Sequence, residues 1–240
     1  MKFKYTIKKT SYYSIFKFIC AIQLLFVLST CTKEVVPKYK PCDANLFNIC
    51  DGTGNGAYCT FGYKWGNNNP FSNAGLEKSG PGTGNIELKY KFMDAGFVFN
   101  THDKENLTSI AFENNSISCT KDKFRLAFAE WSSVVKVNFR EVALNETADI
   151  KIMIADIEQS SIGYPNFDQY PCSDIKGQII FKRNEYICST IYGAILHEIG
   201  HVLGLGHVNS QNVMNPNQFT KYSQLQSGDI IGVKSIYGAR

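Results

Sequence analysis

The chain has 240 residues, of which 44% are hydrophobic and 13% aromatic, enough for one domain of about 150–200 residues plus further segments, and this composition excludes a disordered protein. Its formal net charge is +4, with 25 basic and 21 acidic residues. Five of the lysines lie in the first thirty residues, which hold no acidic residue, so the rest of the chain has 20 basic against 21 acidic residues. This balance gives no reason to expect a nucleic-acid partner.

Residues 1–30 are predicted to be an export signal peptide. Their lysine-rich start leads into the apolar run Phe18–Leu28, which has the length of a signal h-region and is too short to span a bilayer comfortably. The next residues, Leu28-Ser29-Thr30-Cys31, resemble the lipobox of bacterial lipoproteins, which implies lipidation of Cys31 and a lipid-anchored protein of the cell envelope. Thr30 replaces the Gly, Ala or Ser usual at its position. Two alternatives therefore stay open: ordinary cleavage with release to the extracellular space, and an uncleaved membrane anchor.

The cysteines also indicate an exported protein. Apart from Cys20 and Cys31, six remain: Cys42, Cys50, Cys59, Cys119, Cys172 and Cys188. An even set in an exported protein indicates three disulfides, and the sequence leaves all of about 15 pairings open. None of these cysteines has the CxxC spacing of a cysteine-bound zinc.

The stretch from Thr32 to about Gly84 is rich in turn-forming residues. It contains DGTGNG, WGNNNP and SGPGTG, and Gly, Asn, Pro and Ser in such clusters favour turns and loops. We therefore expect a leader or pro-segment over residues 31–80, and a compact domain over residues 81–240.

The compact domain is predicted to contain four strands and three helices. Apolar and polar residues alternate, or form short apolar runs, over four segments: Ile86–Phe92, Val137–Val142, Ala148–Asp156 and Gln178–Lys182. The first predicted helix is Lys121–Val135, which has apolar residues at helical spacing and Thr120 as its N-cap. The second starts after Ser189 or Thr190, either of which is a good N-cap. The third runs from about Ser227–Asp229, where the acid suits the helix dipole, to Tyr237-Gly238. The stretch Ile157–Ser173 is predicted to be an irregular loop. Strands mixed with three helices indicate an α+β domain.

The second helix carries the motif that points to a chemistry. His197, Glu198, His201, Gly204 and His207 are spaced HExxHxxGxxH, and Met214 follows seven residues after the last histidine. Residues four apart return to nearly the same face of a helix, so His197 and His201 can face one metal ion. Gly204 can adopt the left-handed conformation that ends a helix, so the chain can reverse and bring His207 to the same ion.

Three histidine ligands with a fourth position left to water are typical of a catalytic zinc. The chain has four histidines, and three of them lie in this window. Zinc lowers the pKa of its water to about 7, and Glu198, next to the first ligand, is predicted to be the general base. Ile195, Ile199 and Val202 fall on the opposite, core-facing side of the helix. The alternative reading is a histidine-rich surface helix.

The motif resembles that of the metzincin metallopeptidases, and within them the chain is most similar to the matrixins, or matrix metalloproteinases. The similarity extends over FRLAFAEWSSVVKVNFREV, ADIKI and LQSGDIIGVKSIYG. It implies a twisted mixed sheet, a packing helix, a zinc-binding helix, a Met-turn formed by Met214 and a C-terminal helix. It also implies a zinc-dependent endopeptidase that acts on protein or peptide substrates, and we expect a monomer.

The resemblance further implies how substrate and metals bind. The strand before the zinc helix would lie at the sheet edge and pair with an extended peptide through Ile179, Ile180 and Phe181; a plain core strand is the alternative. The tyrosine that often precedes the proline after the methionine is absent, so Phe219 and Tyr222 are the candidates to line the specificity pocket.

One zinc is expected, because His102 is the single histidine left for a second, structural zinc. Calcium is a family expectation, with Asp168 and Asp174 as candidate ligands. The alternative function is a surface binding or adhesion lipoprotein that uses a metalloprotease-like domain for recognition. The intact Glu198 argues against it, since a binding module has no need of a base.

Overall fold

The computed structural model describes residues 56–60, 65, 85–101, 106–114, 118–158, 161–163 and 177–240. The chain divides into the units Met1–Lys38 and Tyr39–Arg240, and all described residues belong to the second. The predicted signal peptide, Cys31, His102, Asp168 and Asp174 lie outside the described residues. The expectations that rest on them stay predictions.

The described strands form a five-stranded sheet and a separate hairpin. In chain order the strands are β1 (Ile86–Phe92), β2 (Val98–Phe99), β3 (Leu107–Thr108), β4 (Val137–Glu141), β5 (Ile150–Ala155), β6 (Ile162–Gly163) and β7 (Gln178–Lys182). The sheet has the order β4-β1-β5-β7-β6, while β2 pairs with β3. The first four strands of that order are parallel, and β6 pairs antiparallel with β7.

Three α-helices accompany the sheet: α1 (Thr120–Val134), α2 (Ile191–Val202) and α3 (Ser227–Tyr237). Single 3-10 turns lie at Phe112–Asn114 and Phe219–Lys221. This mixed architecture confirms the predicted α+β class. The N-cap of α1 is Cys119, so the predicted cap Thr120 is the first helical residue instead.

The core lies between the sheet and helices α1 and α2, and it is mainly aromatic next to α1. The rings of Tyr90 and Phe128 stack with centroids 4.2 Å apart, and Phe124 meets Phe181 edge-on at 5.3 Å. Such ring pairs add a favourable term to the burial of their area. Behind them the indole N–H of Trp131 donates to the Leu196 carbonyl at 3.2 Å. Helix α1 therefore packs on the sheet and also contacts α2 directly.

One disulfide joins the two helices at their N-terminal ends. Cys119 and Cys188 are bonded, with their Cα atoms 6.1 Å apart, so the N-cap of α1 is tied to the loop that precedes α2. Cys59 is also disulfide-bonded. Of the 15 pairings that the sequence left open, the structure selects those that contain Cys119–Cys188.

Two expectations about the sheet edge were wrong. Strand β7 is not the edge strand, because β6 pairs with it on the side away from β5. The predicted loop Ile157–Ser173 contains this extra strand. A two-residue strand is too short to show the alternation by which strands are recognised in a sequence, which is why β6 and the β2–β3 hairpin were missed.

The packed domain includes residues upstream of the predicted boundary at residue 81. Cys59 and Trp65 are buried in the same hydrophobic core as the sheet and helices, and Thr60 forms an antiparallel bridge with Leu205. In the part of the chain that is described, no helix has the length and apolar character needed to cross a membrane.

Candidate active site

Helix α2 carries His197 and His201 in a buried environment. Every residue from Gly193 to Val202 is buried, and Ile195, Ile199 and Val202 belong to the hydrophobic core as predicted. The two imidazole rings meet edge-on with centroids 4.5 Å apart. One helix therefore serves the core with one side and presents two histidines together on another.

A tight turn at Gly204 brings the third histidine back. Gly204 has a φ of 102°, and its N–H donates to the His201 carbonyl while the N–H of Leu205 donates to Gly200, both at 2.9 Å. This hydrogen-bond pattern is the Schellman motif, which uses a glycine at its left-handed position. The prediction that Gly204 ends the helix and reverses the chain is confirmed.

The three histidines converge on one point. The Nε2 atom of His207 lies 3.1 Å from that of His197 and 3.0 Å from that of His201, and the last two atoms are 3.0 Å apart. Among the described residues these side chains form a group that could hold a metal ion. The sequence motif thus predicted which residues meet.

Hydrogen bonds to carbonyl groups define which ring nitrogens are available. Nδ1 of His197 lies 2.7 Å from the Val213 carbonyl oxygen, and Nδ1 of His201 lies 2.8 Å from that of Leu205. A carbonyl can only accept, so both Nδ1 atoms must donate, which leaves each Nε2 with its lone pair directed at the common point.

The electrostatics of the site favour neutral histidines. Burial, with a smaller contribution from His207, lowers the pKa of His197 to about 3. Burial also lowers the pKa of His207 to about 4 and that of His201 well below its usual value. All three rings are therefore uncharged at neutral pH, the form in which imidazole binds metals.

This donor set fits zinc. Zn–N bonds of about 2.0–2.1 Å in a tetrahedral site place the nitrogens about 3.3 Å apart, within a few tenths of an ångström of the observed separations. Three lone pairs held about 3 Å apart repel one another unless a cation lies between them, which further favours a metal here. His197, His201 and His207 are the residues that would hold it.

Glu198 lies beside this group and is 3% exposed. Burial raises the pKa of its carboxyl well above the usual value, and a hydrogen bond from the Gly163 backbone opposes this shift. A Cβ atom at Gly163 would collide with the Glu198 carbonyl oxygen. The edge strand β6 therefore lies directly against the part of α2 that carries the candidate base.

Met214 packs against α2 under the histidines. A Cβ atom at Gly200 would collide with the Met214 sulfur, and the Val208 N–H donates to the Met214 carbonyl at 3.1 Å, which closes the loop that carries His207. The carboxylate of Asp229 accepts hydrogen bonds from the backbone N–H groups of Val213 and Met214 at 2.9 and 3.1 Å. The turn at Met214 is therefore held both by its packing on α2 and by its hydrogen bonds to Asp229.

The predicted substrate-binding residues fall into two groups. Ile179, Ile180 and Phe181 are fully buried in β7, and the backbone of the first two pairs with β5 on one side and β6 on the other. Phe219 and Tyr222 are half-buried near the site, and the Phe219 ring lies 4.7 Å from the His197 ring. The structure brings Phe219 to the group of three histidines and keeps the side chains of β7 in the core.

Two further residues, which the sequence pattern does not reveal, shape the site. Gly193 allows the backbone at Phe219 and Tyr222 to approach α2, since a Cβ atom there would collide with the carbonyl of Phe219 and lie 2.8 Å from that of Tyr222. Glu185 accepts hydrogen bonds from both the backbone N–H and the hydroxyl of Ser161, at 3.0 and 2.6 Å, just before β6. The only sequence signal of Gly193 is that it is a lone glycine in a helical pattern. No local pattern indicates the role of Glu185.

This arrangement is that of the metzincin class of zinc metallopeptidases. It combines a mixed sheet, a buried helix with two histidines, a third histidine after a glycine turn and a methionine beneath the histidines. The family model for the matrixins matches residues 100–238, more than half of the chain. The protein belongs to the matrixin family.

Curated proteins of plants and animals are similar to the chain. Metalloendoproteinase 1 of Glycine max is 30% identical over 140 residues, 49% of this chain and 45% of that protein. Metalloendoproteinase 1-MMP of Arabidopsis thaliana is 30% identical over 162 residues, 59% of this chain and 42% of that protein. Matrix metalloproteinase-19 of Homo sapiens is 31% identical over 131 residues, 48% of this chain and 25% of that protein. The chain thus spans less than half the length of these relatives.

Proposed function

We propose that the protein is a zinc-dependent endopeptidase that hydrolyses peptide bonds of protein or peptide substrates, with Glu198 as the general base. The observation that carries this proposal is the convergence of three lone-pair-bearing Nε2 atoms within 3.1 Å of one another, next to a buried carboxyl group. Membership of the matrixin family and the similarity to proteins named metalloendoproteinases support it.

The zinc, when bound, supplies Lewis acidity that polarises a carbonyl group and makes water acidic enough to attack at neutral pH. Glu198 accepts the proton of the attacking water and passes it to the departing amine. The raised pKa of its carboxyl group makes the Glu198 carboxylate a stronger base for the first half of this task. The buried site keeps other water away from this exchange.

We propose that the substrate pairs with β6 rather than with β7. Among the described strands β6 forms this edge of the sheet, and an exposed edge can accept an extended peptide through main-chain hydrogen bonds. The approach of Gly163 to Glu198 would bring such a peptide next to the candidate base. Phe219, with its ring against His197, and Tyr222 remain our candidates for the wall of the specificity pocket.

The test is a digest of casein and of a quenched peptide library by protein that was stripped with a chelator and reloaded with zinc. We expect cleavage to require zinc and to fall about 10²–10⁴-fold or more in Glu198→Gln, the range for general acid–base groups, with one zinc still bound in that variant. Cleavage by Glu198→Gln at the wild-type rate would rule out the proposed base. Folded, zinc-loaded wild-type protein that cleaves no substrate would favour the recognition module instead.

We further propose export and anchoring through a lipid on Cys31, with free secretion as the alternative. The LSTC sequence and the described Cys119–Cys188 disulfide support export, because such bonds persist in oxidising compartments. Mass spectrometry of the N-terminal peptide from the native source should find a lipidated Cys31. An unmodified N-terminus after a cut elsewhere would support secretion. Calcium binding stays a prediction, to be tested by stability with and without a calcium chelator.

A further inference from the structure

Residues 56–60 and 65, which the sequence assigns to a leader, contact two parts of the candidate active site and the helix α3 beside it. The first is the C-terminal end of α2. The Trp65 indole N–H donates to the Val202 carbonyl at 2.7 Å, and the Trp65 backbone N–H donates to the Tyr237 hydroxyl at 3.1 Å. That hydroxyl in turn donates to the Leu203 carbonyl at 2.8 Å. The last carbonyls of a helix lack partners within it, so Trp65 satisfies one directly and orients the group that satisfies the next.

The second contact is with the loop that carries His207. The Gly206 N–H donates to the Cys59 carbonyl at 3.1 Å, and Thr60 bridges to Leu205. Further along the loop, the side chain of Asn212 donates to the Ala57 carbonyl at 2.9 Å and that of Ser210 to the Gly56 carbonyl at 3.1 Å. These residues enclose His207 on both sides along the chain. The segment therefore holds the loop by its backbone as a strand would.

The third contact is with α3, where two glycines leave room for the segment. A Cβ atom at Gly228 would collide with the Ala57 carbonyl oxygen, and one at Gly232 would lie 2.8 Å from the Tyr58 Cβ. Neither glycine has a positive φ, so the backbone does not need glycine at either position. The close approach of the segment, together with two side chains of the His207 loop, excludes a side chain at these positions.

We propose that residues 56–60 and Trp65 are a permanent positioning element of the active site, retained in the mature protein, which fixes the loop of the third metal ligand and the end of the zinc helix. The seating of the segment stands on the contacts alone, while its effect on the metal rests on the proposed zinc site. A processing cut in the stretch between residue 65 and β1 would have to leave the segment bound through these contacts.

Gly232→Ala tests the seating, with Ile231→Ala on the exposed side of the same helix as the control. Alanine normally stabilises a helix interior relative to glycine, so an empty surface at Gly232 predicts a higher thermal midpoint. A seated segment predicts a lower midpoint for Gly232→Ala, because Tyr58 must move. A rise in the midpoint of Gly232→Ala would overturn the proposal. Ile231 is 52% exposed, so its variant should change little.

Trp65→Phe tests the positioning role, because it keeps a ring and removes the N–H that donates to Val202. The matched control is Trp131→Phe in α1, which removes an indole N–H that donates to the Leu196 carbonyl in the middle of α2. We expect the zinc affinity, measured by chelator competition on folded protein, to fall about 10-fold in Trp65→Phe, the lower end for groups that orient metal ligands, and to stay unchanged in Trp131→Phe. Equal losses in both variants would indicate general destabilisation and overturn the positioning role.

The intact mass of the mature native protein tests retention. We expect its first residue to lie before Gly56, or a peptide that contains residues 56–65 to stay bound to the folded protein and to separate from it only on denaturation. A mature form that starts beyond Trp65, lacks that peptide and binds zinc with unchanged affinity would overturn the proposal. Failure of the wild type to bind zinc would instead count against the proposed function, and the thermal and mass measurements would still decide whether the segment is seated.

Discussion

At the scale of single residues, a chain of hydrogen bonds connects a buried carboxylate to one of the three converging histidines. Asp229 is 1% exposed, and besides the two N–H groups of the turn it accepts the Gln226 N–H at 2.8 Å at the start of α3. The turn residue Val213 offers its N–H to Asp229 and its carbonyl to His197. One side chain therefore both caps a helix and fixes the orientation of an imidazole.

We predict that Asp229→Asn destabilises the protein by about 1–3 kcal/mol. The amide has one accepting atom in place of two, so at least one of three buried N–H groups loses its partner. Urea unfolding at constant zinc measures the loss. Asp156→Asn is the control, since the Asp156 side chain is 61% exposed in its pair with Arg183. Equal unfolding free energies for the two variants would contradict the role of Asp229.

Glu185 is the second residue whose effect can be isolated. It holds Ser161 at the start of β6, and the Ser161 hydroxyl accepts the Lys182 N–H of β7 at 3.1 Å. We predict that Glu185→Ala raises KM several-fold for long peptides and leaves the zinc content unchanged, because the edge strand loses its anchor while the ligands lie elsewhere. Glu113→Ala, at a side chain 77% exposed, is the control. A loss of zinc without a change in KM would count against substrate pairing with β6.

At the scale of elements, α1 is joined to the sheet by an ion pair as well as by its aromatic face. The Arg125 guanidinium donates to both oxygens of Glu141 on β4, at 2.8 and 2.9 Å. This hydrogen bond lowers the pKa of Glu141 below its usual 4.5 against the opposing effect of burial. A lowered pKa contributes stability that is present above the ordinary pKa and lost as the pH falls through the folded value.

We predict that Glu141→Gln costs below about 1 kcal/mol at pH 7, since the pair is partly exposed and screened by solvent. The difference from the wild type should disappear on acidification below pH 4.5, as the carboxylate of the folded protein takes up its proton. Urea unfolding at several pH values, at low and high salt, measures both effects. A difference that grows on acidification would have the wrong sign for this pair.

The elements differ in how far the sequence predicts them. Strands Ile86–Phe92 and Gln178–Lys182 have the predicted bounds, and α2 begins after Thr190 as predicted, because regular patterning and caps are local signals. The convergence of His197, His201 and His207 was predictable for the same reason, since helix periodicity and one glycine turn relate the three residues. The position of Trp65 was not, because its partners lie 137 and 172 residues away and no local pattern encodes such a contact.

At the scale of the whole molecule, stability rests on connections between parts that are distant in sequence. The Cys119–Cys188 disulfide spans 69 residues and encloses β4, β5, β6 and β7. We predict that the Cys119→Ser, Cys188→Ser double variant loses up to about 4 kcal/mol, the chain-entropy value for a loop of this length. Guanidinium unfolding measures it. A loss no greater than that of an exposed substitution would mean that the unfolded chain is already restrained.

The parallel pairing of β1 with both β4 and β5 affects the order in which parts of the molecule complete their folding. Parallel strands need crossover connections, and pairs distant in sequence form slowly. Strand β7 pairs on β5, and α2 and the His207 loop follow β7 in the chain. We therefore expect α2, whose buried residues share one core with the sheet, to reach its final packing only when the sheet has formed. Under the proposed function, a newly made chain would pass its most cleavable, unfolded stage before its own site could hydrolyse a peptide bond.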